Sequence, residues 1–378
     1  MLGGHGSADD LVRGYRPWLD GLRAVAVLMV VVQHTVGVMP VDLGNYGVAL
    51  FFALSGYLIT SLLLDERSAT GGVSLRSFYL RRAGRLVPAL VLVVVVMDAL
   101  FVAAGDHGPL RGSVAALTYT ANYAEIIDSD FVLGFGPTWS LAVEEHFYLL
   151  WPLLLLWMAR RFGLRTALWA TLAVCVAAVF WRGVLAVLQA PLDMLSIGSL
   201  ERADALLYGC AAAIALRLGW RPSAWMMWAG VAGIALSAVV FTGHPYVASI
   251  FSNAATAVGC AAIVVCLDYA GVEWMRRLLS LRLLVGVGIV SYGLYLWHGP
   301  LMRLAGQLGG AGPAWRAVAA TAAIGAAALS YRYLEVPVRA WARGRAAALA
   351  VRRGGGGPPV EQIQERFVLD PASARQSG

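Results

Sequence analysis

Long apolar runs dominate this 378-residue sequence and constrain its fold more than any other feature. A helix needs about 20 mostly apolar residues to cross the hydrocarbon core of a bilayer. Hydrophobic residues make up 59% of the chain and charged residues only 13%, whereas a soluble domain has roughly 25% charged residues. A water-soluble fold could not bury this much apolar surface. The sequence therefore predicts an all-α, polytopic membrane protein.

Ten runs are long enough to be read as transmembrane helices, so the expected architecture is a bundle of about ten spans. A further segment near 113–127 is too polar to span and is expected to lie at the membrane interface. The ten candidate spans cover roughly residues 20–39, 45–64, 86–104, 138–158, 165–188, 202–218, 225–242, 248–268, 283–305 and 314–334.

Arginine placement predicts the orientation, because loops that stay in the cytoplasm are enriched in basic residues. All 29 basic residues are arginines, and they cluster at the N-terminus, in alternate loops and after the last span. The intervening loops 40–44 and 243–247 hold none, and the long loop 105–137 holds only Arg111. This alternation predicts a plasma-membrane protein with both termini in the cytoplasm. The positive net charge is explained by topology and gives no reason to expect a nucleic-acid partner.

The chain is expected to divide into three parts. Residues 1–19 form a cytoplasmic N-terminal segment, 20–345 the membrane-embedded domain, and 346–378 a disordered cytoplasmic tail that contains a run of glycines from Gly354. The four cysteines lie inside apolar runs without metal-ligand or redox spacing, and we predict them to be small core residues. No metal site is predicted.

Ionisable residues inside a bilayer are costly and mark functional sites. In the first span, Arg23 and His34 are eleven positions apart. They therefore differ by only about 20° around a helix and by about 16 Å along it. One face of the first span thus carries an arginine near its cytoplasmic end and a histidine in its outer half. The alternative is a snorkelling arginine and a histidine hydrogen-bonded to a neighbouring helix.

The fourth span contains three consecutive titratable residues, Glu144, Glu145 and His146. They are expected about 10 Å deep from the outer side, at a depth similar to that of His34 and of His298 in the ninth span. Histidine as base and a glutamate that orients it can transfer protons. We predict His34 and Glu145 to be catalytic, with Glu144 as the alternative carboxylate. Interhelical hydrogen bonding is the structural alternative for these residues.

The segment before the third span, SLRSFYLRRAGRLVP, concentrates arginines at the inner face. Guanidinium groups bind phosphate in a planar, bidentate way, although positive-inside topology alone also places arginines here. Arg81, Arg82 and Arg85 are therefore candidate phosphate-binding residues. Near the inner end of the tenth span, Arg332 and Glu335 lie at one level and are expected to pair.

Five segments together resemble the acyltransferase type 3 family of integral membrane O-acyltransferases. They are LDGLRAVAVLMVVVQH, FFALSGYLIT, FYLRRAGRLVPAL, TWSLAVEEHFYLLWP and SYGLYLWHGP, in this order over residues 18–337. The resemblance implies an acyl-CoA donor bound from the cytoplasm and a hydroxyl acceptor, commonly a sugar. No cofactor is implied beyond that donor. His146 departs from the family pattern, since many members have Gln there. No hydrolase-like domain is expected after the last span.

The resemblance also implies roles for single residues. His34 matches the family's essential histidine, Arg23 its partner in the first span, and Arg82 and Arg85 its paired arginines. With Arg81 these arginines are the predicted donor-binding set. The residues predicted to bind substrate are Ser55, Trp139 and His298.

The sequence leaves several functions open. The acceptor could be a macrolide-type or other antibiotic, or a cell-surface glycan, and neither acyl length nor oligomeric state can be read from it. A proton-coupled transporter or flippase also fits ten spans with buried histidines and carboxylates. A polyprenyl-phosphate glycosyltransferase fits less well, because the chain has no Asp-rich metal motif. The inner arginines favour the acyltransferase, since a carrier needs no fixed polyphosphate site.

Overall fold

A computed structural model describes residues 15–351 apart from 38, 40, 241, 242 and 311, and no strand occurs among them. The predicted all-α class is confirmed. The helices are α1 Pro17–Val36, α2 Leu43–Thr70, α3 Leu75–Ala103, α4 Pro109–Leu117, α5 Ala121–Ile127, α6 Trp139–Arg161, α7 Leu164–Val187, α8 Leu192–Ile197, α9 Ala203–Arg217, α10 Trp225–Val240, α11 Pro245–Val247, α12 Asn253–Tyr269, α13 Glu273–Leu279, α14 Arg282–Ile289, α15 Ser291–Gly309, α16 Pro313–Ser330 and α17 Val336–Val351. Two π-helical segments, Ala248–Ser252 and Tyr331–Glu335, join α11 to α12 and α16 to α17.

The predicted count of ten spans is wrong in detail. Within the described part of the chain, seven helices are long and apolar enough to cross a membrane, or eight if one bent pair is a single span. That pair is α14 and α15, which meet at an angle of 67° near Val290. The predicted sixth and seventh spans are the shorter helices α9 and α10, of 15 and 16 residues. The segment 113–127 does not span and folds into parts of α4 and α5.

Helix α2 lies at the centre of the bundle, packed against α1, α6, α9 and α12. Apolar residues also cover the outer surface, as on α6, where Leu149, Leu150, Leu153, Leu154 and Trp157 are all exposed. A soluble helix would bury such a stripe. An apolar surface outside a packed interior is the arrangement required of a helix bundle surrounded by lipid.

Small residues bring the central helices into close contact, as expected for membrane helices. Gly56 of α2 faces α9, and a Cβ added there would lie 1.9 Å from the Leu206 carbonyl oxygen. Gly209 of α9 faces α2 in the same way, 2.2 Å from the Ala53 carbonyl oxygen. Because both obstacles are backbone atoms, no side-chain movement can relieve them. The α2–α9 contact therefore requires glycine on both helices.

Replacing Gly56 by alanine is expected to lower the stability of the detergent-purified protein by about 1–3 kcal/mol or more, because the added methyl group forces α2 and α9 apart. The measurement is the Tm followed by tryptophan fluorescence. Gly183→Ala on α7 is the matched control, since a Cβ there meets nothing within 4 Å. An equal Tm for the two variants would contradict the close-contact role.

Two predicted terminal segments lie largely outside the described residues. Of the predicted N-terminal segment 1–19, residues 1–14 lie outside, and of the predicted tail 346–378, residues 352–378 lie outside. The four cysteines are all buried and unpaired, as predicted.

Candidate active site

His34 occupies the last turn of α1, a helix that begins with Pro17 and ends before Gly37. Its Nδ1 lies 2.8 Å from the carbonyl oxygen of Val30. A carbonyl oxygen can only accept, so Nδ1 must carry the proton of that hydrogen bond. In the neutral imidazole, Nε2 is then left as an acceptor. The helix therefore holds His34 in the tautomer that a general base requires.

His298 lies directly beside His34 and supports it from inside the bundle. The two ring centroids are 5.0 Å apart in an edge-on arrangement. His298 is fully buried, and its Nδ1 lies 2.6 Å from the Tyr295 carbonyl oxygen. Its Nε2 is buried and has no hydrogen-bond partner in the described part of the chain. The structure thus brings together the two histidines that the sequence placed at one depth.

Two cavities meet at His34. The first, of about 570 Å³ and called the polar cavity here, is lined by amide and hydroxyl groups that include Asn45, Ser252 and Asn253. The second, of about 630 Å³ and called the arginine cavity, is lined by Arg303 and Arg316. The residues common to both linings are Gln33, His34, Glu125, Gly136 and Pro137. A ligand in either cavity can therefore reach the imidazole.

Several contacts fix the walls of these cavities. Trp139, at the start of α6, lines the polar cavity and packs edge-on against Phe52 with ring centroids 6.2 Å apart. In the loop 105–137, Asp106 accepts hydrogen bonds from Arg303 at 2.9 and 3.1 Å and from Gln307. Burial works against its charge, but the bonds from Gln307, Gly108 and Arg303 hold the pKa of Asp106 below its usual value. The loop is thereby tied to α15.

A second polar cluster lies deeper in the bundle, around Glu144. Its carboxylate accepts hydrogen bonds from Ser55 and Tyr148, and Arg82 Nη2 lies 3.7 Å away. Arg82 also lies 4.0 Å from Glu145 and stands 3.3 Å above the centroid of the Tyr148 ring. Arg82 is therefore held by two carboxylates and one aromatic face, which fixes its guanidinium plane.

Arg85, one turn along α3, has no such partner. Its guanidinium makes no hydrogen bond or salt bridge with any residue of the described ranges, and its Nε is buried. The positive charges of Arg23, Arg82 and Arg339 act on it, and so do the negative charges of Glu145 and Glu335, although neither carboxylate forms an ion pair with it. A partly buried cation without an ion pair is unfavourable. This arrangement therefore favours an anionic ligand at Arg85.

Besides Arg82, two of the predicted donor-binding arginines are already paired. Arg23 Nη1 lies 2.9 Å from Asp20, which also accepts a 2.9 Å hydrogen bond from Tyr15. Arg81 lies 3.7 Å from the buried Glu66 and so connects α3 to α2. Arg85 is thus the member of the predicted set without an ion-pair partner among the described residues.

The predicted grouping of the carboxylates with the histidines is not what the structure shows. Glu144 and Glu145 contact Arg82, whereas His34 contacts His298. The carboxylates point towards Arg82 of α3 rather than towards the histidines. Ser55, predicted to bind substrate, donates its hydroxyl to Glu144.

The sequence leaves the role of His146 open, and one predicted pairing, Arg332 with Glu335, differs from expectation. His146 turns away from both clusters, with its Nδ1 2.8 Å from the Ser199 hydroxyl and its ring stacked on Tyr123. Glu335 pairs with Arg339 at 2.5 Å rather than with Arg332, because the π-helical segment Tyr331–Glu335 changes the side-chain register there.

Sequence reasoning did not single out two residues of this region. Tyr148 was quoted within its motif only, yet it contacts both Arg82 and Glu144. Its position four residues after Glu144, on the same face of a helix, was the available signal. Glu125, in the cavity wall, carries no sequence signal that separates it from the other acidic residues of the loop 105–137.

Comparisons with known proteins agree with this arrangement. The profile of the acyltransferase domain matches residues 16–332. The chain is 32% identical over 356 residues to the peptidoglycan O-acetyltransferase OatA of Listeria monocytogenes, covering 86% of this chain and 56% of that protein. It is 30% identical over 352 residues to the O-acetyltransferase OatA of Staphylococcus aureus, covering 86% and 57%. The chain thus spans little more than half the length of these relatives. No solved structure matches it.

Proposed function

The chain belongs to the acyltransferase type 3 family, and from that premise we propose that it is an integral membrane O-acyltransferase that acylates a hydroxyl of a cell-surface glycan. The observation that carries the proposal is the position of His34, which lines both cavities while its Nδ1 is hydrogen-bonded to the Val30 carbonyl oxygen. A transporter has no need of an imidazole held in one tautomer beside a ligand cavity.

The proposed chemistry at His34 is proton transfer. The acceptor hydroxyl attacks the thioester carbonyl of the donor as His34 Nε2 takes its proton. The carbon–sulfur bond then breaks, and the thiolate leaves and receives a proton that His34 can return. The buried His298 ring beside His34 keeps the imidazole from rotating out of position.

The donor is proposed to be an acyl-CoA whose phosphates bind at Arg85 and Arg82. Arg85 has no protein partner among the described residues, and Arg82 is held with its guanidinium plane fixed by Tyr148. Arginine suits phosphate because its planar fork donates two parallel hydrogen bonds. The phosphates are proposed to bind in this deep cluster, on the cytoplasmic side of the His34 cavities, with the flexible arm of the donor extending from the cluster to His34.

A glycan is the proposed acceptor. The polar cavity offers amide and hydroxyl side chains, among them Asn45, Ser196, Ser249 and Asn253, which suit the many hydroxyl groups of a sugar. The relatives named above include a peptidoglycan O-acetyltransferase, which makes peptidoglycan the first acceptor to test. The acyl group is accordingly proposed to be acetyl.

We propose an orientation with both termini in the cytoplasm, on the basis of the arginine-rich inner loops. Acyl-CoA then reaches the Arg85 cluster from the cytoplasmic side, and the His34 cavities open towards the outer side, where the glycan lies.

The test uses the purified full-length protein in detergent, with acetyl-CoA carrying a radiolabelled acetyl group and a soluble glycan fragment of peptidoglycan. We expect release of CoA and base-labile label on the glycan in equal amounts, since one hydroxyl is esterified for each thioester broken. CoA release without glycan label would overturn the glycan acceptor, and release of neither would overturn the acyltransferase itself.

A further inference from the structure

Glu125 is the acidic residue that lies in the wall common to both cavities, together with His34. It belongs to α5, whose position is fixed by the fully buried Asn122, which donates a 2.9 Å hydrogen bond to the Ser199 hydroxyl. Glu125 therefore sits on an anchored element rather than on a mobile loop. None of the steps proposed above uses it.

The carboxylate of Glu125 has no compensating partner in the described ranges. Its Oε2 is buried and makes no hydrogen bond, and no arginine or histidine lies within ion-pair distance. Burial raises the pKa of Glu125 to about 7, and the negative charge of Asp193 adds to the rise. A buried oxygen without a partner is unfavourable in the empty cavity. A ligand that donates a hydrogen bond removes that cost.

The other ionisable groups near Glu125 supply neither a hydrogen bond nor a compensating charge to its carboxylate. On the packed helices, Asp193 of α8 has the same charge, and His146 of α6 is hydrogen-bonded to Ser199. Asp130 and Arg111, on the neighbouring segments, are exposed. Across the cavities, Arg303 is paired with Asp106, and Tyr295 donates its hydroxyl to the Pro137 carbonyl at 2.7 Å.

The ionisable groups that remain on the cavity walls are the basic groups His34 and Arg316 and, in the polar cavity, Asp42 and Tyr46. Neither basic group forms an ion pair with Glu125 in the structure. Asp42 has the same charge as Glu125 and accepts the backbone N–H of Asn45 at 3.0 Å, and Tyr46 is hydrogen-bonded to Ser252.

We propose that Glu125 binds the acceptor, accepting a hydrogen bond from a hydroxyl or amide N–H of the sugar and so holding the reacting hydroxyl against His34 Nε2. This role of Glu125 rests on the proposed function, and it makes Glu125 a residue that determines which acceptors bind. An acceptor must present a hydrogen-bond donor to Glu125 beside the hydroxyl that reacts. A sugar that presents a carboxylate at that position is disfavoured by like charge.

The proposal predicts a pH dependence of acceptor binding. An ionised carboxylate accepts a stronger hydrogen bond than a neutral one. Because the pKa of Glu125 is about 7, the ionised form grows as the pH rises through neutrality. The KM for the acceptor should therefore fall as the pH rises. Removing the Asp193 charge lowers the Glu125 pKa, so Asp193→Asn should move this change to lower pH.

The experiment measures kcat and the acceptor KM with a tetrasaccharide of alternating N-acetylglucosamine and N-acetylmuramic acid, at saturating acetyl-CoA. The proteins are full-length wild type, Glu125→Gln, Asp193→Asn and, as matched control, Asp130→Asn in the same loop. For Glu125→Gln we expect an acceptor KM raised about tenfold or more, and a KM that no longer changes between about pH 6 and about pH 8. Donor affinity and Tm should not fall, and Asp130→Asn should behave as wild type.

A Glu125→Gln protein with wild-type acceptor KM at every pH would overturn the proposal. So would a raised KM accompanied by a lowered Tm and weakened acetyl-CoA binding, because Glu125 would then only support the fold. Failure of the wild-type protein to transfer acetyl groups is a different result, which contradicts the proposed function. The two failures are thus distinguished by the wild-type arm alone.

Discussion

Replacing His34 by alanine should abolish glycan acylation while the protein still inserts and folds. Removing a positioned general base costs about 10²–10⁴ in rate. The structure adds a reason to expect the larger effect, since the neighbouring imidazole cannot take its place: His298 is buried and lines neither cavity. The measurement is the rate of acetyl transfer to glycan per folded protein, with size-exclusion elution and Tm as checks on folding.

His244→Ala is the matched control for this experiment. His244 is exposed in the turn before α11 and lines neither cavity, so its replacement should leave the rate unchanged. A second variant, His34→Gln, keeps a polar side chain at the cavity but has no basic nitrogen, and it should be as inactive as His34→Ala. Wild-type turnover by either well-folded His34 variant would remove the histidine from the mechanism.

The bundle itself could be predicted from the sequence because lipid imposes one simple rule on composition. Runs of about 20 apolar residues locate helices such as α2 and α7 well. The predicted number of spans was wrong where the shape of the chain depends on more than its composition. The run 283–305 is mostly apolar, yet the chain bends by 67° inside it. Helices α9 and α10 are also mostly apolar, but they are too short to span by themselves. Such breaks depend on packing between helices.

In the candidate site, too, the sequence predicted some features and not others. The positions of His34 and of the arginines followed from helix periodicity and loop charge. Their partners did not, because the partner of Glu144 depends on how α6 is rotated against α3. That rotation brings Arg82 of α3 to the carboxylate, and the sequence of α6 alone does not contain this information. Glu335 gives a second example, since a π-helical segment shifted it from Arg332 to Arg339.

Replacing Arg85 by alanine should weaken acyl-CoA binding without lowering stability. A lost hydrogen bond to a charged phosphate costs about 1.5–3 kcal/mol, or about tenfold to a hundredfold in Kd. Since Arg85 has no protein partner in the described ranges, its removal leaves no orphaned carboxylate. Arg85→Lys should restore little, because an ammonium keeps the charge but not the planar fork. The measurement is acetyl-CoA titration of purified protein, with the Tm as the second readout.

Arg82→Ala should behave differently, and the contrast tests the assignment. Its removal also leaves Glu144 and Glu145 without their cation, so Tm should fall along with donor affinity. Arg76→Ala is the control for general positive charge, because Arg76 is exposed in the first turn of the same helix. If arginines here served only to orient α3, Arg76→Ala and Arg85→Ala would both reduce correct insertion, and the inserted Arg85→Ala protein would bind acetyl-CoA normally. A loss of donor affinity confined to Arg82 and Arg85 leaves phosphate binding as the explanation, because these two guanidinium groups share the deep cluster and Arg76 does not.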